Sequence, residues 1–74
     1  MNKKLVGERL RALRQKKRKT TTEVADACGI SQSALTMYEN GERVPRDEVK
    51  MRLANYYGRT VQTIFFAKEN HICD

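Results

Sequence analysis

The stretch TTEVADACGISQSALTMYEN, Thr21 to Asn40, decides the fold. Its apolar positions recur at helical spacing on either side of a glycine, so it reads as two short helices, 21–28 and 32–39, joined by a tight turn. Thr20 with Glu23 three residues on forms a capping box, in which each residue satisfies an orphan N–H of the other. Ser31 is the expected N-cap of the second helix. Val24 and Cys28 form the inner face of the first helix, and Leu35 and Tyr38 that of the second. Ala25 is small where the helices cross. Gly29 supplies the positive φ the turn demands, and Ile30 plugs the corner. The outward set of the second helix is Gln32, Ser33, Thr36 and Met37. It is uncharged and rich in hydrogen-bonding groups, which suits base edges better than a merely solvated face.

Working outward, Val6, Leu10 and Leu13 lie on one face of an upstream helix over about 4–17. Downstream, Asn40-Gly41 reads as a helix stop, and Pro45 falls between periodic segments. Val49, Leu53 and Tyr57 share a face of a fourth helix, about 47–57, which Gly58 ends. Thr60 caps a fifth, about 61–67, expected to bury Val61, Ile64 and Phe65. No segment alternates as a strand would. Lys68 to Asp74 has no helical face and reads as a mobile polar tail. With 74 residues the chain holds one domain, residues 1–67, followed by the short tail 68–74.

Fifteen Lys and Arg against nine Asp and Glu give a formal charge of +6, which suggests a polyanionic partner. Charge alone does not separate nucleic acid from an anionic membrane. No run approaches the roughly 20 apolar residues of a membrane span, and Met1 to Leu5 lacks the apolar stretch of a signal peptide. The expected location is the cytoplasm. Cys28 falls in an apolar pattern and reads as a small buried hydrophobe. Cys73 lies in the tail with the single histidine, His71. That pair could touch a metal, but the usual zinc ligand set cannot be assembled, and no cofactor is expected. The single histidine, with no phosphate-binding glycine loop and no paired nucleophile and base, argues against an enzyme.

Taken together, several pieces of the chain resemble the phage repressor and Cro-like (XRE) helix-turn-helix family. They are Gly7-Glu8-Arg9-Leu10-Arg11 with Leu13-Arg14, Glu23-Val24-Ala25, Gly29-Ile30-Ser31, Tyr38-Glu39-Asn40-Gly41, Pro45, Leu53-Ala54, Gly58 and Ile64-Phe65. The resemblance covers about residues 5–66. It implies an all-α, compact five-helix, lambda-repressor-like DNA-binding domain whose third helix is the recognition helix. Gln32, Ser33 and Met37 match base-reading or adjacent positions, and Thr36 points the same way. A glutamine amide can pair bidentately with adenine, worth roughly 1–3 kcal/mol of discrimination. Met37 departs from the polar residues common there; it either touches a thymine methyl or only covers apolar surface.

The resemblance further implies phosphate contacts from Asn40, Arg43 and Arg46, and from Thr21 at the start of the second helix, where the family usually carries a longer glutamine. Arg14 and Glu39 match a salt-bridged pair that supports the recognition helix. Lys19 stands where the family generally has a buried leucine, so either its stem covers the core or the loop differs. The run Gln15 to Lys19 reads as a solvated helix end, with DNA contact as the other reading. The implied function is a transcriptional repressor that binds a near-palindromic double-stranded operator as a homodimer. Its half-site centres would lie roughly 34–36 Å apart, and Phe66 and Tyr56 are candidates for the dimer surface. The alternative is an antitoxin or another regulator of this fold that binds a protein partner.

Overall fold

Asn2 starts the first helix: its side-chain oxygen accepts from the Leu5 N–H at 3.1 Å, one of the donors a helix start leaves orphaned. The computed structural model describes residues 2–67; the expected tail, with His71 and Cys73, lies outside the described residues. Helix α1 spans Lys3–Lys16, one residue earlier than its periodicity suggests. It stops because the chain reverses at Arg18, which sits at φ 56°. There the Arg18 N–H donates to the Gln15 carbonyl and the Lys19 N–H to that of Arg14. This left-handed ending usually falls to glycine. Lys19 is exposed in the loop that follows, so its stem does not cover the core.

Helices α2, Thr21–Cys28, and α3, Gln32–Glu39, have the bounds their caps and glycines foretell. Both halves of the Thr20–Glu23 box are present, at 3.1 and 2.9 Å. The backbone N–H of Thr20 holds the Glu23 carboxyl below its ordinary pKa. Gly29 turns the chain at φ 70°. Helix α4 spans Asp47–Tyr57.

The last element differs from expectation. It is a π-helical turn, Gln62–Phe66, where the sequence suggests an α-helix over 61–67. Thr60 caps it as expected, its hydroxyl accepting from the Thr63 N–H at 3.0 Å. Ile64 and Phe65 are both fully inside, while Val61 is only partly buried. A wider turn brings two consecutive side chains closer in direction, which lets both enter the core.

Leu10, Val24, Leu35, Leu53 and Ile64, drawn from every element, are fully buried in one core. Helix α1 lies in the middle, with α3 on one side and the π turn on the other, while α2 packs on α3 and α4. Three charged residues are also buried: Arg9, Glu39 and Lys50. Arg9 donates through one terminal nitrogen to the carbonyls of Ile64 at 3.0 Å and Thr63 at 3.4 Å. It thus answers carbonyls that the π turn leaves open. The Lys50 ammonium lies 3.3 Å from Asp47 and 5.1 Å from the centre of the Phe66 ring.

Candidate nucleic-acid interface

Helix α3 presents two different surfaces. Leu35 and Tyr38 enter the core, whereas Gln32, Ser33 and Thr36 are exposed and Met37 is half-buried. Ser31 caps the start, its hydroxyl accepting from the Ala34 N–H at 3.0 Å. At eight residues, α3 is about 12 Å long, comparable to the roughly 12 Å width of a DNA major groove.

The first residue of α2 and the first of α3 meet at this end. The Gln32 amide nitrogen donates to the Thr21 hydroxyl at 2.9 Å. Thr21, expected at a phosphate, has its hydroxyl oxygen engaged by Gln32. Gln32 is exposed, and its amide oxygen and second N–H, one acceptor and one donor, are the pairing an adenine edge requires.

The other end of α3 is fastened to α1. A Cβ on Gly7 would meet the carbonyl oxygens of Tyr38, at 2.7 Å, and Glu39. Only a glycine lets the two backbones approach this closely. Beside it Arg14 grips Glu39 through two bonds, Nε to Oε2 at 2.8 Å and Nη2 to Oε1 at 3.0 Å. Its remaining terminal nitrogen donates to the Lys19 carbonyl at 3.0 Å. The Glu39 side chain is 2 % exposed. Its hydrogen bond raises the Arg14 pKa, and burial opposes that only in part. This is the Arg14–Glu39 pair the sequence suggests. Breaking one partner of such a pair leaves a buried charge, at a cost of roughly 3–5 kcal/mol.

Asn40 is the C-cap of α3, exposed, with Arg43 and Arg46 exposed beyond it. Neither guanidinium has a hydrogen-bond or ion-pair partner among the described residues. Arg46 is also the N-cap residue of α4, without a side-chain cap bond. Sequence reasoning gave no role to Arg11, whose Nη2 donates to the Asn40 side-chain oxygen at 2.6 Å. The available signal was spacing: Gly7, Arg11 and Arg14 share a helix face. Of the residues proposed for a dimer surface, Phe66 is half-exposed beside the exposed Met51, which the sequence did not single out. Tyr56 is half-buried under Lys17, whose ammonium lies 4.9 Å from the ring centre. No group of three or more His, Cys, Asp or Glu among the described residues could hold a metal, and no helix there is long and apolar enough to cross a membrane.

Two short helices crossing at a left-handed glycine, with an exposed polar face on the second, are the substance of a helix-turn-helix. The chain belongs to the helix-turn-helix domain family, which it matches over residues 5–64. It is 41 % identical over 51 residues to a Pyrococcus furiosus protein named as an HTH-type transcriptional regulatory protein. That match takes in 69 % of this chain but 16 % of the relative, so the chain corresponds to a small part of that protein. Among solved structures it is similar to the clp gene regulator ClgR of Corynebacterium glutamicum. One crystal structure of ClgR superposes with a TM-score of 0.80 at 25 % identity, covering 86 % of this chain and 68 % of that one. A second gives 0.77 at 23 %, covering 93 % and 97 %.

Proposed function

We propose that this domain is a sequence-specific transcriptional regulator of the repressor kind that inserts α3 into the major groove of double-stranded DNA. The observation that carries the reading is the exposed, uncharged face Gln32, Ser33, Thr36, with Gln32 braced on Thr21. Such a face can exchange hydrogen bonds with base edges without burying an unpaired charge. Arg43 and Arg46 flank it and supply phosphate contacts, which position the helix but do not read sequence. Thr21 adds its hydroxyl hydrogen to the same phosphate row. Met37, at the margin, packs against a thymine methyl.

A single helix-turn-helix domain gains affinity and site length by pairing with a second copy, and a two-fold dimer reads a near-palindromic operator. Phe66, Met51 and Val61 line one shallow apolar groove, which is the surface assigned to that dimer; Tyr56, covered by Lys17, is not part of it. The compartment is the one holding the DNA, the cytoplasm of a bacterial or archaeal cell.

Selection of binding sites from random duplex DNA at fixed salt tests the reading. A two-fold-related consensus, with half-site centres about 34–36 Å apart, is expected. Gln32→Ala should then relax preference at one position of each half-site. Arg43→Ala should weaken all sequences alike and reduce the salt slope by about 0.9 per lost phosphate contact. No enrichment by the unaltered protein would overturn the DNA reading in favour of a protein partner, the antitoxin-like alternative.

A further inference from the structure

The face of α1 turned toward the end of α3 carries Lys4, Gly7, Arg11 and Arg14, spaced three or four residues apart so that they stack on one side. Gly7 brings the α1 backbone against the last carbonyls of α3. That is the negative end of the α3 dipole, and it also carries the Glu39 carboxylate. A DNA phosphate would be repelled there unless positive charge outweighs both. Arg14 and Glu39 form a closed two-bond pair and cancel. Arg11 makes a second, longer ion pair with Glu39 at 3.7 Å, its side chain 47 % exposed, and two guanidiniums against one carboxylate leave one positive charge in excess.

Arg11 also decides which way Asn40 faces. A guanidinium has five donors and no acceptor, so the 2.6 Å contact requires the Asn40 oxygen to point at Arg11. The Asn40 amide nitrogen, a donor, is then turned away from it. In the free protein that nitrogen lies 3.5 Å from a Glu42 carboxylate oxygen, at the outer limit of a hydrogen bond. An exposed carboxylate thus stands where an anion would be received.

We propose that Arg11 and Asn40 together clamp one backbone phosphate of the DNA, with Arg11 supplying charge and orienting the amide, and that Glu42 occupies the clamp until the phosphate displaces it. The proposal rests on the DNA-binding reading and assigns Arg11 and Glu42 roles in it. Lys4, one turn before Gly7 on the same face, extends the positive potential beyond the clamp. The anchor and the phosphate site are therefore one construction: the arginine that is surplus to the ion pair faces the ligand.

The test is equilibrium binding of the full chain to a fixed duplex across a salt series, with thermal melting as a control for folding. Arg11→Gln should weaken binding to every duplex and reduce the slope of log K against log salt by about 0.9, one phosphate's worth. Arg11→Lys should restore most of that slope but not the affinity, because an ammonium is a point charge without the fork that orients Asn40. Glu42→Gln, an exposed change with no fold at risk, should raise affinity by removing the competing carboxylate. An unchanged slope in Arg11→Gln, or no gain in Glu42→Gln, while the unaltered protein binds normally, would overturn the clamp alone. If the unaltered protein shows no salt-dependent duplex binding, the DNA reading fails and the clamp with it.

Discussion

The two ends of α3 are built on opposite plans. Its C-terminal end is held: Gly7 lets α1 lie against it, Arg14 closes on a fully buried Glu39, and Tyr38 is in the core. Its N-terminal end is open: Gln32 and Ser33 are exposed, and the contact that steadies Gln32 is one neutral hydrogen bond to Thr21. Strong, charged, desolvated contacts fix where the helix lies. A weak, solvent-facing contact leaves its reading groups available. Changes to the buried anchor of the held end, Gly7, Arg14 and Glu39, should therefore act mainly on stability, and changes at the open end mainly on base preference.

Gly7→Ala should produce the largest effect. The added methyl meets backbone rather than a mobile side chain, so one helix must move. A loss at the upper part of the 1–3 kcal/mol range for overpacking, about 3 kcal/mol, is expected in urea unfolding. A loss under about 0.5 kcal/mol would mean that the seam between α1 and α3 is loose.

Tyr57→Phe should have a smaller effect, of opposite sign. The Tyr57 hydroxyl is buried with no partner among the described residues, so its removal should stabilise by about 1 kcal/mol. Burial first, then the nearby Glu39 charge, pushes the Tyr57 pKa well above its ordinary value of 10.0. Above about pH 10 the unfolded chain gives up this proton while the folded one keeps it. The unfolded state then binds fewer protons, so stability falls as pH rises from there toward the raised folded value. In Tyr57→Phe that alkaline decline should flatten, as read from melting temperature between pH 9 and 11.

Thr21→Val tests the open end and should change stability least, by less than about 0.5 kcal/mol. It removes the hydroxyl on which Gln32 is braced, so base preference at the position proposed for Gln32 should broaden in a site-selection experiment. A stability loss as large as that of Gly7→Ala would erase the distinction between the two ends.

What the sequence made legible follows the same division. The bounds of α2 and α3 were readable because their signals are local: a Thr–Glu capping box, a serine cap and a glycine at the turn, all within a few residues of the ends they set. Arg14 and Glu39 were identifiable by family resemblance. The buried Arg9 was not, since its partners, the carbonyls of Thr63 and Ile64, lie far along the chain and a charge in an amphipathic pattern reads as outward-facing. Lys50 escaped only because a charge in such a pattern reads as outward-facing; its partner Asp47 is three residues away. Gly7 left a signal that went unused: a glycine inside a helix forfeits roughly 0.5–1 kcal/mol relative to alanine, which makes sense where something must come close. The π turn could not be foreseen, because Ile64-Phe65-Phe66 suits a short helix of either pitch until both leading side chains have to fit one core.

The Arg9 contact has a kinetic side. It joins residues 54 and 55 positions apart, nearly the span of the domain, and within the domain it sits on a helix that is synthesised well before the π turn. Until the π turn arrives, α1 carries a guanidinium whose folded position is inside the core without the carbonyls that receive it there. Early burial of α1 is thereby discouraged, and the first helix stays in water until the last element can close over it. A domain wired in this way folds in one step rather than by accretion, and a chain cut short before Thr63 should emerge as an unstructured, protease-sensitive polypeptide rather than a half-built one.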